Sequence, residues 1–433
     1  MKRRGGYGLA AAIVLVALIG AACGNESNSS SSKTTAGGSG GGGATAKGPF
    51  ATLKRVEAPN PCTLDPGVSA GTIKIGVVVP QSGPQALSFS DSLKGIQARI
   101  DKANNSGELG SRKISLVVRD DAADQTRNQE VVRDLVENQK VFSVIEATST
   151  SGGGAQYLNQ KGVPVTGWHV GVPAWGADTN MFTFRLPASP DPLHNYTDRS
   201  ANVMKKLGAT KVALVGGANS ASADFLKRSK HALEQLSGVK VVVDNESVPA
   251  DQRDFTAESQ RIKAAGADAV LTGMDFLQNT ALSDQLAKDG VHPKVVLFPG
   301  GYDSRVLKLP GIEGAIFGLE FYPFELKKPA FVAFDAALPA AAPRNQISFI
   351  GWLSGEITVQ GIKDAGVACP TRKAFIANLR LEHAYTGGGA FDPVDLEAEF
   401  GKEFRCTYYV RVENAKFVPL FDGKQQCGNP ITF

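Results

Sequence analysis

Cysteine, histidine and methionine are scarce in this chain, at five, five and four in 433 residues. None of the cysteines stands at CxxC spacing and the histidines are scattered, so a zinc site of the usual ligand spacing is excluded. An excess of charge is also missing, with 46 Lys and Arg set against 42 Asp and Glu. Setting aside Lys2, Arg3 and Arg4 lowers the formal +4 to +1, which leaves no basic field for nucleic acid. Long apolar runs are lacking save one, from Leu9 to Ala22, and it is too short to cross a bilayer comfortably. A multi-span membrane protein is therefore ruled out. No GxxxxGK followed by Ser or Thr is present, so the chain has no phosphate loop of its own. No GxSxG elbow joins a strand to a helix, which leaves a secreted α/β hydrolase without its nucleophile.

What is present begins with an address. Lys2, Arg3 and Arg4 form a positive region, residues 9–19 an apolar one, and Gly20-Ala21-Ala22 supplies small residues before Cys23. This reads as an export signal over residues 1–22. The Cys directly after the small residues resembles a bacterial lipobox, in which the thiol is diacylated, so Cys23 is the expected lipidation site and the mature protein is expected to be extracytoplasmic and membrane-anchored. Two acyl chains hold a protein stably where one does so only marginally. The stretch after it is rich in Gly and Ser and nearly free of apolar residues, and we expect a flexible tether over 23–60.

Four cysteines remain, Cys62, Cys369, Cys406 and Cys427, an even number that in an exported chain suggests two disulfides. Spacing leaves all three connectivities open. A hairpin about Glu413-Asn414 would bring Cys406 near Cys427, which favours that pair and leaves Cys62 for Cys369.

From residue 72 onward short β-branched runs alternate with amphipathic stretches, the signature of parallel sheets covered by helices. The expected fold class is therefore α/β with two doubly wound sheets. Residues 72–80 (TIKIGVVVP) read as a strand, and Phe89, Leu93, Ile96 and Ile100 then recur at intervals of four, three and four on one helical face. Strands at 113–120, 141–147 and 163–167 complete one lobe. After FRLPASPDP at 184–192, strands at 211–217, 240–245, 268–274 and 294–300 form a second. Helices near 328–338, 346–365 and 370–380 follow, the middle one apolar all round and expected to be buried.

Three segments carry a resemblance: VVVPQSGPQALSFSDSLKGIQARIDKANNSGELGSRKISLVVRDDAAD from Val77, VFSVIEATSTSGG from Val141, and SFIGWLSGEITVQGIKDAG from Ser348. In that order and spacing they resemble the type 1 periplasmic solute-binding proteins, specifically the branched-chain amino-acid-binding family of ABC importers, over roughly residues 70–420. The resemblance implies two lobes joined by three crossing segments and closing as a hinge over one ligand. Lobe I would comprise 61–187 and 323–397, and lobe II 188–322 and 398–433. It also implies a small-molecule ligand, a permease with its ATPase subunits as partners, no cofactor, and a monomer.

Ligands in doubly wound sheets sit beyond the carboxyl ends of the strands. The candidate binding residues are accordingly Gln81 and Ser82 in the first loop, Ser149, Thr150 and Ser151 in the third, and Trp168 and His169 in the fourth. Thr150 falls where the family places a carboxylate-binding hydroxyl, although these hydroxyls serve equally as helix caps. From lobe II come Ser220, Asp275, Phe276 and Tyr302. Amino-acid binders of the family place an acid for the ammonium where this chain has Gly300. The expected ligand is thus a neutral or anionic solute without an ammonium, with Asp275 the best substitute for the missing acid and Glu320 at the second crossing a poorer one. A ligand-sensing module signalling to a membrane partner and a secreted α/β enzyme are the alternative functions.

Overall fold

The computed structural model describes residues 50 and 52–432, apart from 84, 186–188, 192, 193, 237 and 310. The export signal, Cys23 and the tether up to residue 49 lie outside the described residues.

The first sheet is built from β1 (Thr72–Val78), β2 (Lys113–Arg119), β3 (Ser143–Glu146), β4 (Val165–Gly167) and β5 (Met181–Thr183). All four pairings are parallel, in the order β2-β1-β3-β4-β5. Between them run α1 (Ala86–Phe89), α2 (Asp91–Ser106), α3 (Gln125–Glu137), α4 (Gly152–Gln160) and α5 (Ala174–Ala177). Both faces of this sheet are covered, so its strands read as apolar runs. Ile73, Ile75 and Val77 face one cluster and Val78, Val144 and Val165 the other.

The second sheet follows a short β6 (Asn195–Thr197) and α6 (Arg199–Lys206). It takes β7 (Lys211–Gly217), α7 (Ser220–Glu234), β8 (Lys240–Val248), α8 (Thr256–Ala264), β9 (Ala269–Gly273), α9 (Phe276–Lys288), β10 (Val295–Phe298) and β11 (Ala315–Leu319). Val212 and Leu214 point to one face, Ala213 and Val215 to the other, which is the period-two pattern of a doubly covered strand.

The chain then returns to the first lobe as α10 (Pro329–Ala337), α11 (Gln346–Asp364) and α12 (Arg372–Arg380). Fifteen of the nineteen residues of α11 are buried, as its all-round apolar character predicts. A capping box between Asn345 and Ser348 starts it. Its close partner is α2, and small residues make the crossing feasible. A Cβ on Gly351 would overlap the Ser92 carbonyl, and one on Gly95 would overlap that of Ser348.

Finally β12 (Cys406–Glu413) and β13 (Lys416–Pro419) extend the second sheet antiparallel to β11, β14 (Gln426–Cys427) pairs with β12, and β15 (Pro430–Thr432) pairs with β6. The hairpin turns at Asn414-Ala415, both left-handed, one residue later than the sequence pattern placed it. Both expected disulfides are present, Cys62–Cys369 and Cys406–Cys427, the second at paired positions of β12 and β14.

Two features tie the lobes and the leading segment together. Arg185, on the first crossing, is 3% exposed. Its Nη1 donates to the Glu320 carbonyl on the second crossing, and its Nη2 to Gln425 Oε1 at 2.7 Å. The guanidinium lies 4.5 Å from the centroid of Phe404 on the third crossing. Burial pushes this guanidinium down to about 10, so it stays charged at neutral pH.

The leading segment corrects the expected tether boundary at residue 60. Phe50 is buried edge-on against Phe400, with ring centroids 5.0 Å apart. The backbone of Val56 exchanges hydrogen bonds with the Asn378 side chain of α12, at 2.7 and 2.9 Å. Residues 50 and 52–60 are thus a strap on α12 and on the start of the third crossing, held by one aromatic residue and one amide that composition alone does not reveal.

Candidate functional site

Because every strand of the first sheet runs the same way, the loops after β1, β2, β3 and β4 gather at one edge. The corresponding edge of the second sheet carries the N-termini of α7 and α9. The two edges meet where a Cβ on Gly171, after β4, would sit 3.7 Å from the Ala221 methyl of α7. Val170 beside it holds φ of 25°, a value a β-branched residue rarely takes.

On the lobe I wall the structure brings Gln81, Ser82 and Thr150 against two acids. Asp120 accepts the Gln81 and Ala122 N–H groups at 2.9 Å each, and the Ser82 hydroxyl at 2.5 Å. Burial pushes its carboxyl up, but the Ser82 hydroxyl and these N–H groups prevail and hold it at about 2. Asp121, fully buried, accepts the hydroxyls of both Thr148 and Thr150 on one oxygen at 2.7 Å. Asn128 of α3 donates to that same oxygen at 3.2 Å and to Glu146 at 3.1 Å, while its carbonyl receives the Gly154 N–H of α4. The other oxygen of Glu146 is buried without a partner.

The remaining hydroxyls differ in kind. Ser149 is half-buried and donates to Gln85 Oε1 at 2.6 Å. Ser151 points inward, fully buried, and accepts from Trp175 Nε1 at 2.9 Å, so it belongs to the core and not to the cleft. Trp168 is half-buried with its ring 5.6 Å from Phe89. Among the described residues, His169 Nδ1 is buried without a hydrogen-bond partner.

On the lobe II wall, Asp275 caps α9 through a capping box with Gln278. Phe276 follows it, half-buried, against Gly301. Asn219 caps α7 by accepting the Ser222 N–H at 2.9 Å, and the Ser220 side chain lies outside the described residues. Tyr302 corrects the sequence-based expectation. It is 2% exposed, donates to Glu325 at 2.6 Å and stacks on Phe324, so it is a strut between β10 and the second crossing. Beside it Gln346 of α11 accepts the Gly301 and Tyr302 N–H groups and stands 3.6 Å from where a Gly300 Cβ would be. Gly300, where the resemblance would put an ammonium-binding acid, thus lies beside an amide from the other lobe.

Sequence reasoning missed Asp120, Asp121, Asn128 and Glu146 as site residues, although a strand ending in two acids was visible. It also passed over Gly67–Gly71, which spells GxSxG. That segment precedes β1, and Ser69 is turned to the Thr72 carbonyl at 3.2 Å, so it forms no nucleophile elbow. Among the described residues no cluster of metal-ligating side chains occurs, and no helix is long and apolar enough to cross a membrane.

The buried acid pair gives a pH prediction. Burial, reinforced by the Asp121 charge and opposed by the Asn128 hydrogen bond, raises the Glu146 carboxyl well above its ordinary value. Folding therefore keeps a proton that the unfolded chain releases above about pH 4.3. The contribution is full below that pH and erodes as pH rises toward the folded value. Glu146→Gln should match the native melting temperature at pH 4 and exceed it at pH 8. An equal or lower value at pH 8 would contradict a neutral Glu146.

The comparisons with known proteins bear on the family and the fold. Residues 72–416 match the model of a family described as periplasmic binding protein. A Leu/Ile/Val-binding protein homologue of Brucella melitensis is 26% identical over 302 residues, 68% of this chain and 79% of the relative. The branched-chain amino acid transporter substrate binding protein of Streptococcus pneumoniae, solved with isoleucine, superposes at a TM-score of 0.66 and 19% identity, over 82% of this chain and 99% of that one. A solute binding protein of an R. palustris ABC transporter, solved with benzoate, gives 0.68 at 18% identity, over 84% and 98%. With two largely parallel sheets, three crossings and a match across most of its length, the chain belongs to the periplasmic binding protein family and has the type 1 architecture.

Proposed function

We propose that this chain is the lipid-anchored, extracytoplasmic receptor of an ABC importer, closing its lobes over one small polar or amphipathic solute. The observation that carries this reading is the meeting of the two sheets' carboxyl edges at Gly171 and Ala221, with hydroxyls, acids and half-buried aromatic rings on the facing walls. Closure of such a hinge is driven by contacts that the solute makes with both lobes at once. A permease and its ATPase subunits are the implied partners, since the chain has no phosphate loop. The structural relatives solved with isoleucine and with benzoate support a fold that accepts unlike solutes.

Two measurements test it. Mass spectrometry of protein purified under native conditions should find a small solute that is lost on unfolding, and its absence from every preparation would count against a receptor. Cys23→Ser should move the protein from the membrane to the soluble fraction while the melting temperature of the folded domain stays unchanged. A Ser variant that still sediments with membranes refutes the anchor.

A further inference from the structure

The hydroxyls of the lobe I wall are the natural partners for a solute carboxylate, and the structure turns them away from that task. Ser82 lies 2.5 Å from an ionised Asp120, and a carboxylate can only accept, so its proton is committed there. Thr148 and Thr150 both reach the same oxygen of Asp121 at 2.7 Å and lie 2.9 Å from each other; Thr148 is fully buried, so Thr150 borders the cleft, and its proton goes to Asp121 or to Thr148. Ser149 is within 2.6 Å of the Gln85 carbonyl oxygen. What these hydroxyls have left for the cleft is lone pairs. The N–H groups of Gln81, Ser82 and Ala122, which would otherwise serve an anion, all converge on Asp120. Charge points the same way. Among the described residues Asp121 has no cationic partner, and Asp120 has only Arg127, at 3.8 Å. Asp275 stands on the opposite wall.

From this we infer that the lobe I wall receives the N–H-bearing end of the solute, an amine, amidine or primary amide, and rejects a carboxylate. The inference rests on the solute-binding reading above and names the chemistry of that same cleft. It overturns the anionic half of the expected ligand, which relied on a free Thr150 hydroxyl, and keeps a neutral amide within reach. Trp168, lying against Phe89, offers the apolar surface for the rest of the molecule. A branched-chain amino acid fails on this wall through its carboxylate, which meets acceptors and a like charge.

The test uses ligand-stripped full-length protein and probes matched in skeleton: benzylamine, benzamide and benzoate, and 3-methylbutylamine, 4-methylpentanamide and 4-methylpentanoate. Calorimetry should show the amine or amide of at least one set binding 100-fold or more tightly than its carboxylate twin. The amine ahead of the amide assigns a cation, the reverse a neutral donor. Thr150→Val, which keeps the shape and removes the lone pairs, should weaken the preferred probe about tenfold, and Asp120→Asn, which frees the Ser82 proton, should narrow the preference. A carboxylate twin that binds as well as the amine and amide overturns the inference while leaving the receptor reading intact. Silence from all six probes also overturns it, and the receptor reading then stands or falls with the co-purified solute.

Discussion

Replacing Gly351 with leucine is expected to leave no cooperatively folded protein. The α2–α11 crossing is the centre of lobe I, and both backbones approach through glycines. Any Cβ at 351 overlaps the backbone of Ser92, and the same holds for Gly95 against Ser348. A flexible side chain could give way, but these neighbours are main-chain atoms inside helices. Relief requires the helices to separate, which opens the contacts of Ile96, Ile350 and Trp352, all at most 2% exposed. It also parts the buried Arg99 guanidinium from Glu356. Overpacking alone usually costs about 1–3 kcal/mol. Adding the lost core and an unpaired buried charge, at about 3–5 kcal/mol, takes the total into the range of a whole domain's stability, about 5–15 kcal/mol. Circular dichroism should show no sharp thermal transition for Gly351→Leu. Gly71→Ala, where a Cβ meets nothing within 4 Å, serves as the control. A Gly351→Leu transition within a few degrees of native would refute this view of the crossing.

The two disulfides should differ in weight, with the long-range one dominant. Cys62–Cys369 spans a sequence separation of 307, and Cys406–Cys427 one of 21. In the chain-entropy picture the unfolded state is restricted more by the longer loop, which gives on the order of 5–6 kcal/mol against about 3 for the shorter. The long bridge also pins the strap, whose Asp65 accepts the Arg372 N–H of α12 at 2.6 Å. The double variant Cys62→Ser/Cys369→Ser should therefore lose at least about 2 kcal/mol more in urea unfolding than Cys406→Ser/Cys427→Ser. A larger loss from the short bridge would show that native packing, and not loop closure, sets the order.

How much of this could be read in advance depends on the range of the interaction. The strand at 72–78 and the helix carrying Leu93, Ile96 and Ile100 were legible because their periodicity is local and burial enforces it. Helix α11 was legible to within a residue or two, since a helix apolar on all sides has nowhere to go but inside. The pairing of Cys406 with Cys427 was legible because the two lie only 21 residues apart across a hairpin. The orientation of the site was not legible. Thr150 reads the same whether its proton goes to a ligand or to Asp121, 29 residues away, and the choice depends on how two loops come together. Tyr302 was placed in the cleft because it follows a strand, but Glu325, Phe324 and Phe417 draw it into the core. Phe50 looked like the end of a linker until its ring met Phe400.

That last contact has a mechanical consequence. The leading segment is fastened to lobe I at Val56, Cys62 and Asp65, and at Phe50 to Arg380 of α12 and to Phe400 at the start of the third crossing. A pull on Phe50 is therefore shared between lobe I and the base of that crossing. If the chain is held at its leading end as proposed, the leash takes hold mainly of lobe I, and the first and second crossings are left to bend without it.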